Sequence, residues 1–396
     1  MSLKPKFISL FSGCGGLDSG FIESGFNCVQ AFDIDKKVID VHTRNLGDAG
    51  VVADLRDITK EQLLQYGKPA IVVAGSPCQG FSTAGKRDLH DPRNSLLLHA
   101  GRLAISVKPR VFIAENVAGA LSGEHKAYWL QLEQMLRHAG YHTKTLKLNA
   151  SNLGLAQLRS RVIMMAWTGS TDPDFKEPES DAQTLGDVLS NMQGLPQHDP
   201  RRLARDSSHY LIAKRIGRGQ KLCNVRGGKA SIHTWDIPEV FGSTTLDERA
   251  LLHVTMKLRR RERIRDTGDA DPVSITSLKR EIGAGATNLV KGLVRRGYMR
   301  KIDDAYDLAN TFNGKYRRLD WNSMSLTVDT RFGDPRYFLH PSEHRSFTVR
   351  EAARIQGFPD SFIFDGRPVD SYRMIGNAVP PPMAKFIADT IKPLFK

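Results

Sequence analysis

Cys78 is the side chain in this sequence best suited to nucleophilic chemistry. It sits in Ala-Gly-Ser-Pro-Cys-Gln-Gly-Phe-Ser, residues 74–82, with glycines at 75, 80 and 85 around it. Pro77 fixes its own φ and restricts Ser76, so the thiol is presented on a stiff backbone. A thiolate there could add to an electron-poor carbon, provided the site favours ionisation of a group whose ordinary pKa is about 8.5. Read alone, the same cysteine could equally be a small buried hydrophobe. Glu115, in Glu-Asn-Val, is a carboxyl that could give or share a proton. Arg159 and Arg161, in Gln157-Leu-Arg-Ser-Arg161, stand at i and i+2 before a strand. That spacing points both to one side, as two fixed cations beside the Cys and Glu loops.

The elements that must position these groups read as alternating strands and helices. Apolar runs at 6–11, 28–32, 51–53, 70–74, 110–114 and 162–167 are strand candidates, and 141–149 reads as another strand. Residues 95–107 and 128–139 have helical amphipathicity. The pattern predicts an α/β fold: a doubly wound, mostly parallel, Rossmann-like sheet whose loops at the strand C-termini carry the chemistry. The first strand runs into Ser12-Gly-Cys-Gly-Gly16 and a helix. Strand, glycine turn and helix can bring backbone amides to a nucleotide-like ligand, although a plain tight turn has the same signature. Asp33 ends the second strand 20 residues beyond Gly13, where a carboxylate can accept both ribose hydroxyls. A solvated loop carboxylate is the competing reading. Asp54 and Asp57 follow the third strand and could meet an adenine amino group. No basic residue follows Gly16, which excludes a phosphate-binding P-loop.

Charge separates the chain into two parts. Residues 201–301 carry 23 Lys or Arg against 10 Asp or Glu, nearly all of the chain's net charge of +14. Such focusing is the footprint of a polyanion-binding surface, with nucleic acid the leading partner. Four scattered cysteines, with no Cys-x-x-Cys pair, give no reason to expect a metal and fit a reduced, cytoplasmic protein. No apolar run approaches the length of a membrane span, and the N-terminus lacks a signal pattern.

Six segments in order then resemble the motifs of the DNA cytosine-C5 methyltransferases: Phe11-Ser-Gly-Cys-Gly-Gly16, Ser76-Pro-Cys-Gln79, Glu115-Asn-Val117, Gln157-x-Arg-x-Arg161, Arg345-x-x-Thr-x-Arg-Glu351 and Gly376-Asn-Ala-Val-Pro380. The resemblance implies a methyltransferase using S-adenosylmethionine and no metal. Phe11, Gly13, Gly15, Gly16, Asp33, Ile34, Asp57, Ile58, Pro77, Asn377 and Val379 would then surround the cofactor. Cys78 would attack C6 of cytosine so that C5 becomes nucleophilic. Glu115 would hydrogen-bond N3 and the exocyclic amine, Arg161 would bind O2, and Arg159 would orient the loop or a phosphate. Gln79 and Ser82 would touch DNA. The target base must be flipped out of the duplex, and the polar, glycine-punctuated loop 80–95 would close over it.

The chain is expected to divide into a catalytic part at 1–170, a target-recognition domain at 171–340 and a returning segment at 341–396. The Pro- and Asp-rich stretch 172–181 reads as the linker out. Within the insert, helices at 246–263, 276–282 and 286–296, followed by a hairpin to 308, resemble a winged helix-turn-helix. An ordinary helical subdomain with a solvated basic face is the alternative. In the winged reading Asn288, Lys291 and Arg295 lie on the recognition helix, and Arg259, Arg260 and Arg261 contact phosphates. The basic loops 201–229 are the other candidate reader. Further along, Thr348 and Glu351 form a capping box for a helix to Gln356, and 383–394 reads as a last amphipathic helix. The implied activity is C5 methylation of a specific short duplex sequence by a protein acting as a monomer, in a system that could include a cognate restriction endonuclease. A tRNA cytosine methyltransferase and a DNA-binding regulator with a vestigial enzyme domain are the competitors.

Overall fold

A computed structural model describes residues 4–77, 95–176, 180–265 and 270–396. The chain forms two compact units. The first comprises residues 1–199, 321–333 and 348–396; the second comprises 200–320 and 334–347.

The first unit is built on seven strands: β1 (Lys6–Leu10), β2 (Asn27–Asp33), β3 (Gly50–Val52), β4 (Ile71–Gly75), β5 (Val111–Val117), β6 (His142–Asn149) and β7 (Ser160–Trp167). Their spatial order is β3-β2-β1-β4-β5-β7-β6. All neighbours run parallel except β7, which lies antiparallel between β5 and β6. Nearly continuous apolar strands follow from burial on both faces. On one face Leu10, Phe32, Ala74 and Phe112 pack with the helices Ser95–Val107 and Lys126–His138. On the other, Phe7, Val73 and Ile113 pack with Gly16–Glu23 and Pro381–Ile391. Those two helices touch closely: a Cβ at Gly20 would come within 2.3 Å of the Lys385 nitrogen. Between β1 and β4 the chain order reverses direction across the sheet, and a crevice opens at the strand C-termini there. Register sets what faces it, since Gly75 pairs with Glu115 and Val117 with Arg161.

The expected exit at 170 lies about thirty residues too early. Residues 171–199 stay with the first unit through hydrogen bonds from Asp174 N to Thr390 O, from Leu185 N to Ser323 O, and from Arg350 and Arg354 side chains to carbonyls at 188–196. Ser325–Leu326 forms a short strand that runs parallel to Gln157–Leu158. The capping box of Thr348 and Glu351 is present on Val349–Gln356.

The second unit holds two cores. One gathers Ile212, Leu222, Ile237 and Tyr316 around the strands Lys221–Cys223, Ser231–Ile232 and Asn313–Lys315. The other packs Leu246–Arg261, Ile275–Ile282 and Ala286–Arg295 against a three-stranded sheet of Val273–Ser274, Ala305–Leu308 and Met299–Ile302, in that spatial order. Val290 and Leu293 turn inward, while Asn288, Lys291 and Arg295 share the exposed side of their helix.

Candidate active site

The glycine turn runs through left-handed backbone. Phe11 and Gly13 have φ of 56° and 54°, and Gly15 has 92°, all left-handed. A Cβ at Gly13 would meet open space, so this backbone is laid bare toward the crevice. At Gly16 the reason for glycine is contact: a Cβ would lie 2.4 Å from the Val379 carbonyl oxygen. Asp33 is fixed by two backbone donors, Gly13 N and Asp35 N, each at 3.0 Å. Burial pushes its carboxyl above the ordinary aspartate value, and those two N–H groups pull it back.

A single cavity of about 550 Å³ runs from this turn to β5 and β7. Phe11, Gly13, Gly16, Asp33, Ile34 and Pro77 line it, with Asn377 and Val379 closing it from the chain's C-terminal segment. Ile34 is 66% exposed, an apolar side chain at the cavity. A flat apolar ring, a ribose and a charged tail match this lining, so the residues fit S-adenosylmethionine. Glu115 and Arg161 line the same cavity and form an ion pair, Arg161 Nε to Glu115 Oε1, at 2.7 Å with both side chains largely buried. Burial raises the Glu115 pKa, and Arg161 and then Arg159 oppose that rise; burial prevails. The carboxyl is therefore placed to hold or share a proton beside a guanidinium.

Several expectations need correction. Of the two roles expected of Arg159, orienting the loop or a phosphate, its 1% exposure leaves the first. Its guanidinium donates to the carbonyls of Val328 (2.9 Å), Gly376 (3.0 Å) and Ala378 (2.8 Å). It is a positioning residue that ties the segment carrying Asn377 to the arginine loop. Gly15 faces His42 and Leu46 rather than the cavity. Asp57 is exposed in a short turn, and Ile58 is buried in the apolar core, so neither lines the cavity. Asp54 does line it, held well below the ordinary range, to about 2, by Arg56. In the second unit Arg259 is also corrected: it is buried in an ion pair with Asp307, a partner that removes it from any phosphate. Arg261 pairs with Glu281 at 2.6 Å on the surface, whereas Arg260 is exposed. Cys78, Gln79 and Ser82 lie outside the described residues.

Two groups escaped the sequence reading. Asn116 donates from Nδ2 to Ser76 Oγ at 3.1 Å, fixing the stalk from which Cys78 follows. Arg373 lines the cavity as an exposed guanidinium with no carboxylate partner among the described residues. Its position one turn before Asn377 was the available signal. Cys14 also lines the cavity, but burial pushes its thiol up to about 12, which makes it a poor nucleophile. Burial raises Cys28 as well.

Residues 5–393 match the profile of the family described as C-5 cytosine-specific DNA methylase. Among curated relatives, the Type II methyltransferase M.HgiCII of Herpetosiphon aurantiacus is 31% identical, with 96% of this chain and 94% of that protein aligned. The Type II methyltransferase M.XorII of Xanthomonas oryzae is also 31% identical, over 98% of this chain and 84% of that protein. In fold, the chain is similar to a structure described as a DNA modification methyltransferase encoded within an E. coli prophage, with TM-score 0.62, 23% identity and 99% of each chain covered. The methyltransferase EhMeth of Entamoeba histolytica has TM-score 0.59 at 14% identity, again over 99% of each chain.

Proposed function

The chain belongs to the C-5 cytosine-specific DNA methylase family, and on that premise we propose that it methylates a flipped-out cytosine within a short specific sequence of double-stranded DNA, as the modification enzyme of a restriction system. The observation that carries the reading is the Glu115–Arg161 pair sharing one cavity with the glycine turn and Asp33. S-adenosylmethionine supplies an electrophilic methyl group on a sulfonium when bound. Asp33 would take its ribose hydroxyls, Ile34 would cover its adenine, and Arg373 would meet its methionine carboxylate.

Cys78 is the nucleophile. Its thiolate adds to C6 of the target base, which turns C5 into an enamine-like carbon. Cys14 does not compete, because its burial disfavours the thiolate. Glu115 donates its proton toward N3 and accepts from the exocyclic amine, offsetting charge on the ring, while Arg161 holds O2. C5 then takes the methyl group, and loss of the C5 proton to a base, departure of Cys78 and return of the N3 proton to Glu115 restore the aromatic ring, the thiolate and the acid. Arg159 serves this from outside by fixing the cavity wall.

The second unit reads the DNA. Its order of helix, strand, two helices and two strands, with the first strand pairing the third, supports a winged helix-turn-helix. Asn288 and Lys291 on the exposed side of Ala286–Arg295 face base edges, and Arg295 extends the same row. The protein acts as a monomer, consistent with cofactor, acid and cation groups on one chain. Transfer of a labelled methyl group from S-adenosylmethionine, assayed in parallel on mixed-sequence duplex DNA and on tRNA, tests the reading. Label in DNA, recovered as 5-methylcytosine, supports it; label confined to tRNA overturns it.

A further inference from the structure

Between the two cores of the second unit lies an open notch of about 720 Å³ that no part of the proposed reaction uses. Arg226 enters it from a loop, while Met256, Lys257, Arg260, Arg261 and Arg263 enter it from the end of Leu246–Arg261 and the residues just beyond. The loop side is braced from within and lies against the helix. Asn224, at the start of the loop, donates from Nδ2 to Thr234 Oγ1 at 2.9 Å and accepts from Thr234 N at 2.9 Å. Gly227 then approaches so closely that a Cβ would lie 3.4 Å from Met256 Cε. On the helix, Leu251, Leu252, Thr255 and Leu258 turn into the core, which leaves Lys257 and Arg260 on the opposite, solvent-facing stripe.

Among the described residues, the carboxylates on the neighbouring elements are already engaged. Arg259 has Asp307, while Glu281 and Glu262 serve Arg261 and Arg280. Arg226, Lys257 and Arg260 form no ion pair among the described residues, yet they converge on one hollow. Like charges held together repel, and an anion that bridges them recovers that energy. The hollow is wide and open rather than a closed pocket, so it suits a strand of phosphates passing through it more than a small enclosed anion.

We infer that this notch is a phosphate-backbone anchor for duplex DNA, separate from the exposed side of Ala286–Arg295 that meets base edges. The inference rests on the reading of the second unit as the DNA-gripping part, and it divides that unit's labour. The notch supplies sequence-independent, salt-sensitive affinity, and the helix supplies discrimination. Each phosphate contact contributes about 0.9 to the slope of log affinity against log salt.

The test uses the full chain and a 40-base-pair duplex of mixed sequence, with dissociation constants measured across a salt series. R226Q/K257Q/R260Q is expected to lower the slope by about two to three units and to weaken binding to every duplex at least tenfold. The sites it methylates in genomic DNA should remain those of the parent protein. R260Q alone, an exposed change that spares the fold, should lower the slope by about one unit. N288A/K291A should instead alter which sites are methylated. A wild-type slope in both R260Q and the triple variant, with unchanged circular dichroism, overturns the anchor. Should the parent protein bind DNA yet transfer no methyl group to it, a flattened slope in the variants would still uphold the anchor while the proposed activity falls.

Discussion

At the scale of single residues, chemistry depends on a carboxyl and a guanidinium sharing a low-dielectric site. Glu115→Gln keeps the hydrogen-bonding shape and removes the acid, so the single-turnover rate should fall by about 10²–10⁴-fold with DNA affinity little changed. The pH profile gives an independent check. Because burial raises the Glu115 pKa, the protonated form persists above the ordinary glutamate range and is lost as pH climbs through the raised value. Its contribution to folding has the same sign, present at low pH and lost across that window. The rate should therefore have a descending alkaline limb that is absent in Glu115→Gln. Arg373 offers a second measurement, by calorimetry. Arg373→Ala should weaken S-adenosylmethionine at least tenfold but leave the decarboxylated cofactor unaffected. Equal loss for both ligands would remove the guanidinium from the carboxylate. Glu115, Arg161 and Asp33 were legible because short local motifs carry them. Arg159 and Arg259 were not, since what each does is set by partners far away in the chain: Val328 and the 376–378 carbonyls for one, Asp307 for the other.

At the scale of elements, alternating strand and helix patterns identified every strand of the large sheet; burial on both faces leaves apolar runs in the central strands, whereas the edge strands β3 and β6 are only partly buried. The pairing of Gly75 with Glu115 and of Val117 with Arg161 is a matter of register, which no local run encodes. Arg159 is the bolt between elements. Arg159→Lys keeps the charge and loses the planar fork that reaches three carbonyls. Thermal unfolding should show a loss of about 3–5 kcal/mol, since buried carbonyls are left without donors. An unchanged melting temperature would mean the three bonds are not what holds the 376–378 segment against the arginine loop.

At the scale of the whole molecule, the concentration of positive charge in 201–301 located the second unit in the sequence, but its edges were misplaced. The Pro- and Asp-rich stretch resembles a linker by composition, yet 171–199 is tied back to the first unit by hydrogen bonds that composition does not show. Specificity belongs at this scale, because the proposed reading and the proposed chemistry are assigned to different units. Asn288→Ala should relax discrimination at one base pair by about 1–3 kcal/mol, seen as extra methylated sites in a random-sequence library. An unaltered site profile would move base reading to the loops 201–229. The central claim is that Cys78 attacks C6 of a DNA cytosine while the cofactor supplies the methyl group. It is tested most directly with duplex DNA carrying 5-fluorocytosine in place of cytosine. Fluorine cannot leave C5 as the proton does, so after methyl transfer the enzyme should remain bound to the DNA as an adduct that survives denaturing electrophoresis. The adduct should require S-adenosylmethionine, and peptide mapping should place the bond at Cys78. Absence of the adduct from a preparation that methylates ordinary DNA, or its persistence in Cys78→Ala, would contradict the account.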